Sequence, residues 1–353
     1  MKEILIISPG QFGSHNGTYQ YCNLLSDVYL VTYFGFNEGR PDISINNVNV
    51  IHLERRNNSI SDKLYFIRTL RNHLKTNKYE YFLLNYFLGC SFISLFIKRR
   101  IVVDIRSGYI YQNWFKRYIF NLILLLEVSV FKNITVISES LAKHLKLPKR
   151  THHIPLGSPV FPTWNKKYDS FKILYVGTFH QRNIDEAIRG FSKFYVEYKD
   201  LIHIEWNIIG RGSPQDIQLI EDLISELGLN QCIKYWGTIR YPELNQHFEA
   251  NNVGLSYIPI TEYFNFQPPT KTFEYLSSGM ITIATSTAEN RVVIDDNNGV
   301  LIKDNREGLY EGLKYIYDNR YLFNSSEIQN KSRQFAWNNI VYNNLIPYLN
   351  KID

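Results

Sequence analysis

Cysteine is scarce, and the three present, Cys22, Cys90 and Cys232, are too far apart for a zinc site or a redox dithiol. The odd count excludes a disulfide-stapled fold and points to a reducing cytoplasm. The chain also has no Asp-x-Asp triplet, the carboxylate pattern that would hold a divalent ion on a diphosphate. Long apolar runs are rare. The opening MKEILIISPG carries one lysine and an apolar run too short for a secretory leader before Pro9 and Gly10, and reads as a first strand. Residues 81–97, YFLLNYFLGCSFISLFI, are uncharged and precede Lys98, Arg99 and Arg100. They fall short of the ~20 residues a spanning helix needs. Asn85 and Gly89 interrupt them, so they divide into a strand, a helix and the start of the next strand, IVVDI. There is no internal repeat, and the aromatics are spread along the chain without a basic-aromatic groove motif, which argues against a nucleic-acid partner.

What is present is alternation. The 353 residues, 44% hydrophobic and 20% charged, suit a soluble protein of two domains. Short apolar runs alternate with amphipathic stretches, the pattern of doubly wound α/β domains. EILIIS, VYLVTYF, VNVIHL, YEYFLLNYF, RIVVDI and ITVIS are the predicted strands of the first half. FKILYVG, IHIEWNIIG, QCIKYWG, VGLSYI and MITIAT are those of the second. The Pro- and Ser-rich stretch at 158–170 separates them and predicts domains at 1–163 and 164–335, with a final helix at 336–353 crossing back to the first. Charge divides unevenly: residues 1–163 hold 20 Lys and Arg against 10 Asp and Glu, a balance of +10, and the remainder carries −4. A basic first domain suits an anionic membrane surface or a phosphate-bearing lipid carrier. Residues 114–132, WFKRYIFNLILLLEVSVFK, read either as a buried helix of the α/β sandwich or as one lying in a membrane interface.

The densest chemical signal is PPTKTFEYLSSGMITIATSTAEN, residues 268–290. Two prolines suit a helix start, Phe273 and Leu276 share an apolar face, and Gly279 supplies the left-handed residue that ends the helix before a strand. The first turn places Lys271 beside free N–H groups at the positive end of the helix dipole, a site for phosphate. Glu274 can accept hydrogen bonds from the vicinal hydroxyls of a ribose. Upstream, FKILYVGTFHQRNIDEAIRGF sets Gly177 and Thr178 after a strand and Arg182 in a polar turn before a helix, where a backbone can approach a diphosphate that the arginine reaches. NIIGRGSP holds Gly210 in a Gly-x-Gly, but position 215 is Gln215, so the dinucleotide fingerprint is incomplete.

This segment resembles the donor-site signature of the GT-B nucleotide-sugar glycosyltransferases, in particular retaining family 4 of the surface-polysaccharide type, with Lys271, Glu274, Tyr275 and Gly279 in register. The resemblance implies two Rossmann-like doubly wound parallel-sheet domains facing across a cleft. It implies transfer of a sugar from a UDP- or GDP-linked donor with retention, without a bound metal or other cofactor, Arg182 and Lys271 stabilising the departing diphosphate. ELGLNQCIKYWGTIRYPEL, residues 226–244, resembles the family's base-binding stretch, so that Trp236, Gly237, Thr238 and Ile239 would line a nucleobase pocket. Phe266 stands where many members have a sugar-facing glutamate. Asn265, Gln267, Glu289 and Asn290 are the polar groups left to meet the donor sugar.

In the first half, PGQFGSHNGTYQYCNLL follows a strand and opens a helix. It resembles the family's glycine-rich first loop: Gly13 allows close approach to the donor, and Ser14, His15 and Asn16 are acceptor-side candidates. IVVDIRSG brings Asp104, Arg106 and Ser107 to a strand end where relatives have a sugar-contacting histidine. Asp104 and Arg106 are the catalytic candidates there, with a structural ion pair as the other reading. Ser138 and Glu139, at a further helix start, complete the acceptor side. The implied acceptor is a glycan or lipid-linked glycan at the inner face of the cytoplasmic membrane. A sugar-nucleotide epimerase and a non-catalytic sugar-nucleotide-binding partner in a glycan assembly share these features.

Overall fold

The computed structural model describes residues 1–55, 60–239 and 243–352. It divides into two units: residues 1–156 with 337–353, and residues 157–336. In the first, seven strands run parallel: β1 (Lys2–Ile7), β2 (Tyr29–Phe36), β3 (Val48–Leu53), β4 (Tyr81–Asn85), β5 (Ile101–Ile105), β6 (Asn133–Val136) and β7 (His152–His153). Their spatial order is β3-β2-β1-β4-β5-β6-β7. In the second, β8 (Ser170–Thr178), β9 (His203–Arg211), β10 (Ile233–Tyr235), β11 (Val253–Ser256), β12 (Ile281–Thr285) and β13 (Gly299–Ile302) form another parallel sheet, ordered β10-β9-β8-β11-β12-β13. Both sheets wind outward from their first strand, so the order reverses between β1 and β4 and again between β8 and β11. Such reversals open crevices at the carboxyl ends of the strands, where doubly wound sheets bind ligands.

The eleven predicted strands all form. β7 and β13 were not predicted. β7 is the dipeptide His-His and β13 the short run Gly-Val-Leu-Ile, and neither is long enough to carry a period. Residues 81–97 resolve into β4 and the short 3-10 helix Cys90–Leu95 before β5. Among the described residues no helix is long and apolar enough to cross a membrane.

Central strands are continuous apolar runs because helices cover both faces of a parallel sheet; Ile4, Leu5, Ile6 and Ile7 of β1 are fully buried. In the second sheet Gly177 pairs with Gly210, and a methyl group on Gly210 would lie 1.7 Å from the Gly177 carbonyl oxygen. The change of unit falls at Gly157, earlier than the expected 163. Phe161 explains this, because it is buried in a cluster with Leu174, Phe248 and Tyr275 of the second unit. Gln329 also donates from Nε2 to the carbonyls of Phe161 and Pro162 at 3.2 and 2.9 Å. Within the first unit, residues 337–351 add a helical segment: Trp337 packs edge-on against Tyr21, and Val341, Leu345 and Leu349 are fully buried.

The helix Trp114–Ser129 is unusual in polarity. Arg117, Leu124 and Val128 face inward, and Arg117, Asn121 and Glu127 are held by hydrogen bonds. Arg117 Nη1 donates to the Tyr111 carbonyl at 2.6 Å, and Asn121 Oδ1 accepts from the Tyr109 amide at 3.0 Å. Glu127 accepts from the Gly89 amide at 2.7 Å, Tyr86 Oη at 2.9 Å and Ser91 Oγ at 3.1 Å. The outward face is exposed and largely apolar, with Lys116 at its amino end.

Candidate functional site

The second unit builds its site on the reversal between β8 and β11. The helix Thr270–Ser277 begins after Pro269 and stops at Gly279, which takes the left-handed φ of +76°. Its orientation is fixed from both sides. Tyr275 is fully buried and its hydroxyl accepts from the Val176 amide of β8 at 2.8 Å. On the β11 side, Ser256 Oγ and Thr272 Oγ1 lie 2.7 Å apart, and Thr272 Oγ1 donates to Asn290 Oδ1 at 2.9 Å. Since the Thr272 proton is used on Asn290, Ser256 donates to Thr272.

This clamp holds Lys271 in an unusual state. Its ammonium is buried, lies 3.8 Å from the centre of the Tyr175 ring and has no hydrogen-bond partner. Burial, then the positive charge of Arg182, pull its pKa well below the ordinary 10.5, partly offset by Glu274. Arg182 sits in the turn between β8 and the helix Ile184–Tyr198, flanked by Gln181 and Asn183 at left-handed φ of 55° and 51°. Two non-glycine residues in that region cost strain, and such strain is usually kept where a side chain must be aimed. The guanidinium stacks on Phe264 at 3.8 Å, and its buried Nη1 has no hydrogen-bond partner. Desolvation lowers its pKa as well. Two partly desolvated cations that influence one another, each with an unmatched N–H, form a receptor for a strong anion.

The other donor-side residues fall around this pair. Gly177 is at the end of β8, where a methyl group would lie 3.2 Å from Lys271 Nζ. Thr178 is exposed beside it, and its carbonyl accepts from the Tyr175 hydroxyl at 2.9 Å. Glu274 and Glu289 are both buried. Asn290 is fully buried and engaged, donating from Nδ2 to the Thr285 carbonyl at 2.8 Å while accepting from Thr272. It holds the loop after β12 together. Asn265 acts similarly, accepting from the Ala288 amide at 2.8 Å, and Gln267 donates to the Tyr263 carbonyl at 2.8 Å. Gly210 donates to the Gly237 carbonyl at 2.8 Å, and Gly237 adopts φ +69°. Trp236 is half exposed, its indole N–H donating to Asn207 Oδ1 at 2.7 Å and its ring lying under the Lys234 ammonium at 3.6 Å. Thr238 is exposed, and Ile239 packs on the Phe161 cluster. Arg240, Tyr241 and Pro242, within the stretch 226–244 that resembles the base-binding segment, lie outside the described residues. Tyr175 and Phe264 are the residues that sequence reading missed. Their only signal is an aromatic at a strand end and one in a loop.

The first unit has its own crevice at the reversal between β1 and β4, a cavity of about 210 Å³ lined by Ser8, His15, Thr18, Asn85, Arg106 and Ser107. Asp104 and Arg106 do form an ion pair, Nε to Oδ2 at 2.6 Å, with Thr135 Oγ1 donating to the other carboxylate oxygen at 2.8 Å. The pair leaves Arg106 Nη2 buried and without a partner, as are Asn85 Oδ1 and Ser14 Oγ. Loss of hydration and the Arg106 charge hold His15 below its usual value of 6.5. Gly13 adopts φ +84°, and Asn16 begins the helix Asn16–Leu25. The loop is pinned by Gln11, whose Nε2 donates to the Arg40 carbonyl at 2.7 Å. Ser138 and Glu139 are not in this crevice. Ser138 Oγ caps the helix Glu139–His144 by accepting from the Leu141 amide at 3.0 Å, and Glu139 lines a different cavity beside Lys143 and Lys146.

Residues 170–319 match the family model of the glycosyl transferases group 1. Among solved structures, the chain is similar to sucrose-phosphate synthase from Thermosynechococcus elongatus, with a TM-score of 0.77 at 16% identity over 99% of this chain and 98% of that one. A glycosyltransferase from Rickettsia africae ESF-5 superposes with a TM-score of 0.71 at 15% identity over 99% of each chain. HepE from Anabaena, in complex with UDP, gives 0.74 at 13% identity over 99% and 100% of the two chains. At these identities the likeness is one of fold, that of the GT-B glycosyltransferases. No curated protein sequence matches.

Proposed function

We propose that the protein moves a sugar from a nucleotide-sugar donor to a hydroxyl acceptor, a reading supported by the match of residues 170–319 to the glycosyl transferases group 1 model. The observation that carries the reading is the buried cation pair. Lys271 Nζ and Arg182 Nη1 are desolvated and unmatched at a sheet reversal, which suits the diphosphate of a UDP- or GDP-sugar. As the glycosidic bond breaks, negative charge collects on the leaving phosphate oxygens, and fixed cations there stabilise the transition state more than the ground state. The two cations do the work that a divalent ion performs elsewhere, so transfer proceeds without a metal. Glu274 accepts from the ribose hydroxyls. The sugar departs with retention, the leaving phosphate oxygen taking the acceptor's proton. The acceptor hydroxyl is held by the first unit, where Arg106, Asn85 and Ser14 keep unpartnered polar atoms near His15. The +10 balance of residues 1–163 supports an acceptor on a growing or lipid-linked glycan at the cytoplasmic membrane.

A panel of UDP- and GDP-sugars in a thermal-shift assay tests this, because a ligand at 100 times its Kd stabilises by ~2.7 kcal/mol. One donor is expected to raise Tm, and Glu274→Ala should weaken its binding by ~1.5–3 kcal/mol, the scale of hydrogen bonds to a charged group. Release of nucleotide should then require an acceptor. Isomerised sugar formed without acceptor, or donor affinity unchanged in a folded Glu274→Ala protein, would sink the reading.

A further inference from the structure

The outward face of the helix Trp114–Ser129 is an exposed apolar surface that the proposed function leaves unused. Trp114, Tyr118, Leu122, Leu126 and Val130 follow one another at four-residue spacing with exposures of 69, 61, 40, 63 and 56%. Phe115 broadens the stripe at 58%, and on the neighbouring turn Cys90–Leu95 the rings and branches of Phe92 and Leu95 are 56 and 68% exposed. A helix serving only as a cover for its sheet would place these side chains inward and Arg117, Asn121 and Glu127 outward. Here the polarity is inverted, and Arg117, Asn121 and Glu127 are engaged in hydrogen bonds. Contiguous exposed apolar surface of this kind marks an interaction site.

The charge around it says what covers it. The helix ends beside a cavity of about 550 Å³ lined by Lys132, Arg150, His152 and Lys351. Arg150 Nη2 donates to the Ser129 and Phe131 carbonyls at 2.8 and 3.0 Å, so its guanidinium sits at the helix's carboxyl end. His152 also lines a second cavity of about 700 Å³ with Lys143, Lys146 and Lys149, where Glu139 is the acidic residue on the wall. The unit as a whole carries 21 Lys and Arg against 11 Asp and Glu. A second copy of the chain would bring the same positive charge against it. Trp and Tyr at the beginning of the stripe suit the boundary between headgroups and acyl chains, and cations at its other end suit phosphates.

We propose that the helix Trp114–Ser129 and the turn Cys90–Leu95 seat the protein in an anionic phospholipid leaflet, with the cavity of Lys132, Arg150 and Lys351 taking a lipid phosphate. The inference names the surface behind the membrane-side acceptor of the proposed function and rests on that half of it, not on the donor chemistry. Apolar side chains insert; the basic cavities align with headgroups. The exposed side chains contribute little to folding, so polar replacements leave the unit intact.

The test uses the full chain and vesicles of phosphatidylcholine with or without phosphatidylglycerol. Co-sedimentation is expected only with phosphatidylglycerol, declining as salt rises through ~0.15 M. Two double variants, Trp114→Gln with Leu126→Gln and Lys132→Glu with Lys149→Glu, should each lose at least ~10-fold in vesicle affinity. Their thermal shift with a sugar nucleotide should stay at the wild-type value, which separates this result from any failure of the donor reading. No binding to phosphatidylglycerol at low salt, or binding unchanged in both variants, would overturn the proposal. So would a wild-type dimer in sedimentation velocity that the first variant converts to a monomer, since the face would then belong to a second copy.

Discussion

Lys271 makes the protein's empty state more costly than its liganded one. A lysine whose pKa falls on folding binds protons more tightly in the unfolded chain. The ligand-free protein therefore gains stability as pH rises from the lowered value toward 10.5, and is penalised below that window. Lys271→Met should raise the ligand-free Tm by about 2–4 °C, the effect of ~1 kcal/mol in a unit of this size, and flatten that pH slope. The same change should weaken nucleoside diphosphate binding at least ~10-fold, the loss of one charge-assisted contact. Because an anion returns the proton to Lys271, binding at a pH between the lowered value and 10.5 should take up protons, visible in calorimetry as a heat that depends on the buffer. A ligand-free Tm that falls in Lys271→Met would show that the ammonium is not strained. Transfer should persist in EDTA, and the pair Arg182→Ala with Lys271→Ala should lower kcat more than ~100-fold. Lys271 and Arg182 were legible because charge at a helix start or after a strand is a local pattern. Tyr175 and Phe264 were not, because stacking beneath a cation depends on which strand and loop become neighbours.

At the scale of elements, the β8–β9 contact leaves no room. Gly210→Ala would put a methyl group 1.7 Å from the Gly177 carbonyl, which must drive the strands apart. A cost of at least ~3 kcal/mol is expected, at the upper end of overpacking penalties, read as a lower urea midpoint with an unchanged slope. A midpoint within error of wild type would mean that the strands adjust freely. Long apolar runs made eleven strands readable, while β7 and β13 are too short to show a pattern. The helix Trp114–Ser129 was readable as a helix, but not as one turned inside out. Its orientation is set by the carbonyl ligands of Arg117 and by the three donors that gather on Glu127, partners that come from other parts of the unit.

For the whole molecule, the residues best placed to report on unit independence are 337–352. Their buried Val341, Leu345 and Leu349 complete the first unit's core, His152 stacks on Tyr348 at 4.4 Å, and the Tyr342 hydroxyl donates to Asp27. A fragment of residues 157–336 should unfold cooperatively and keep nucleoside diphosphate binding. Residues 1–156 should give a broad transition until a peptide of residues 337–353 is added. A sharp transition of 1–156 alone would show that the added helical segment is dispensable. That segment also reverses the usual schedule of synthesis. The ribosome releases strands β1 to β7 first, yet they must wait for the whole of the second unit to be translated before their last helix arrives. The nascent first unit is thus the later of the two to finish, and any chaperone that attends this chain meets it while its core still lacks Trp337.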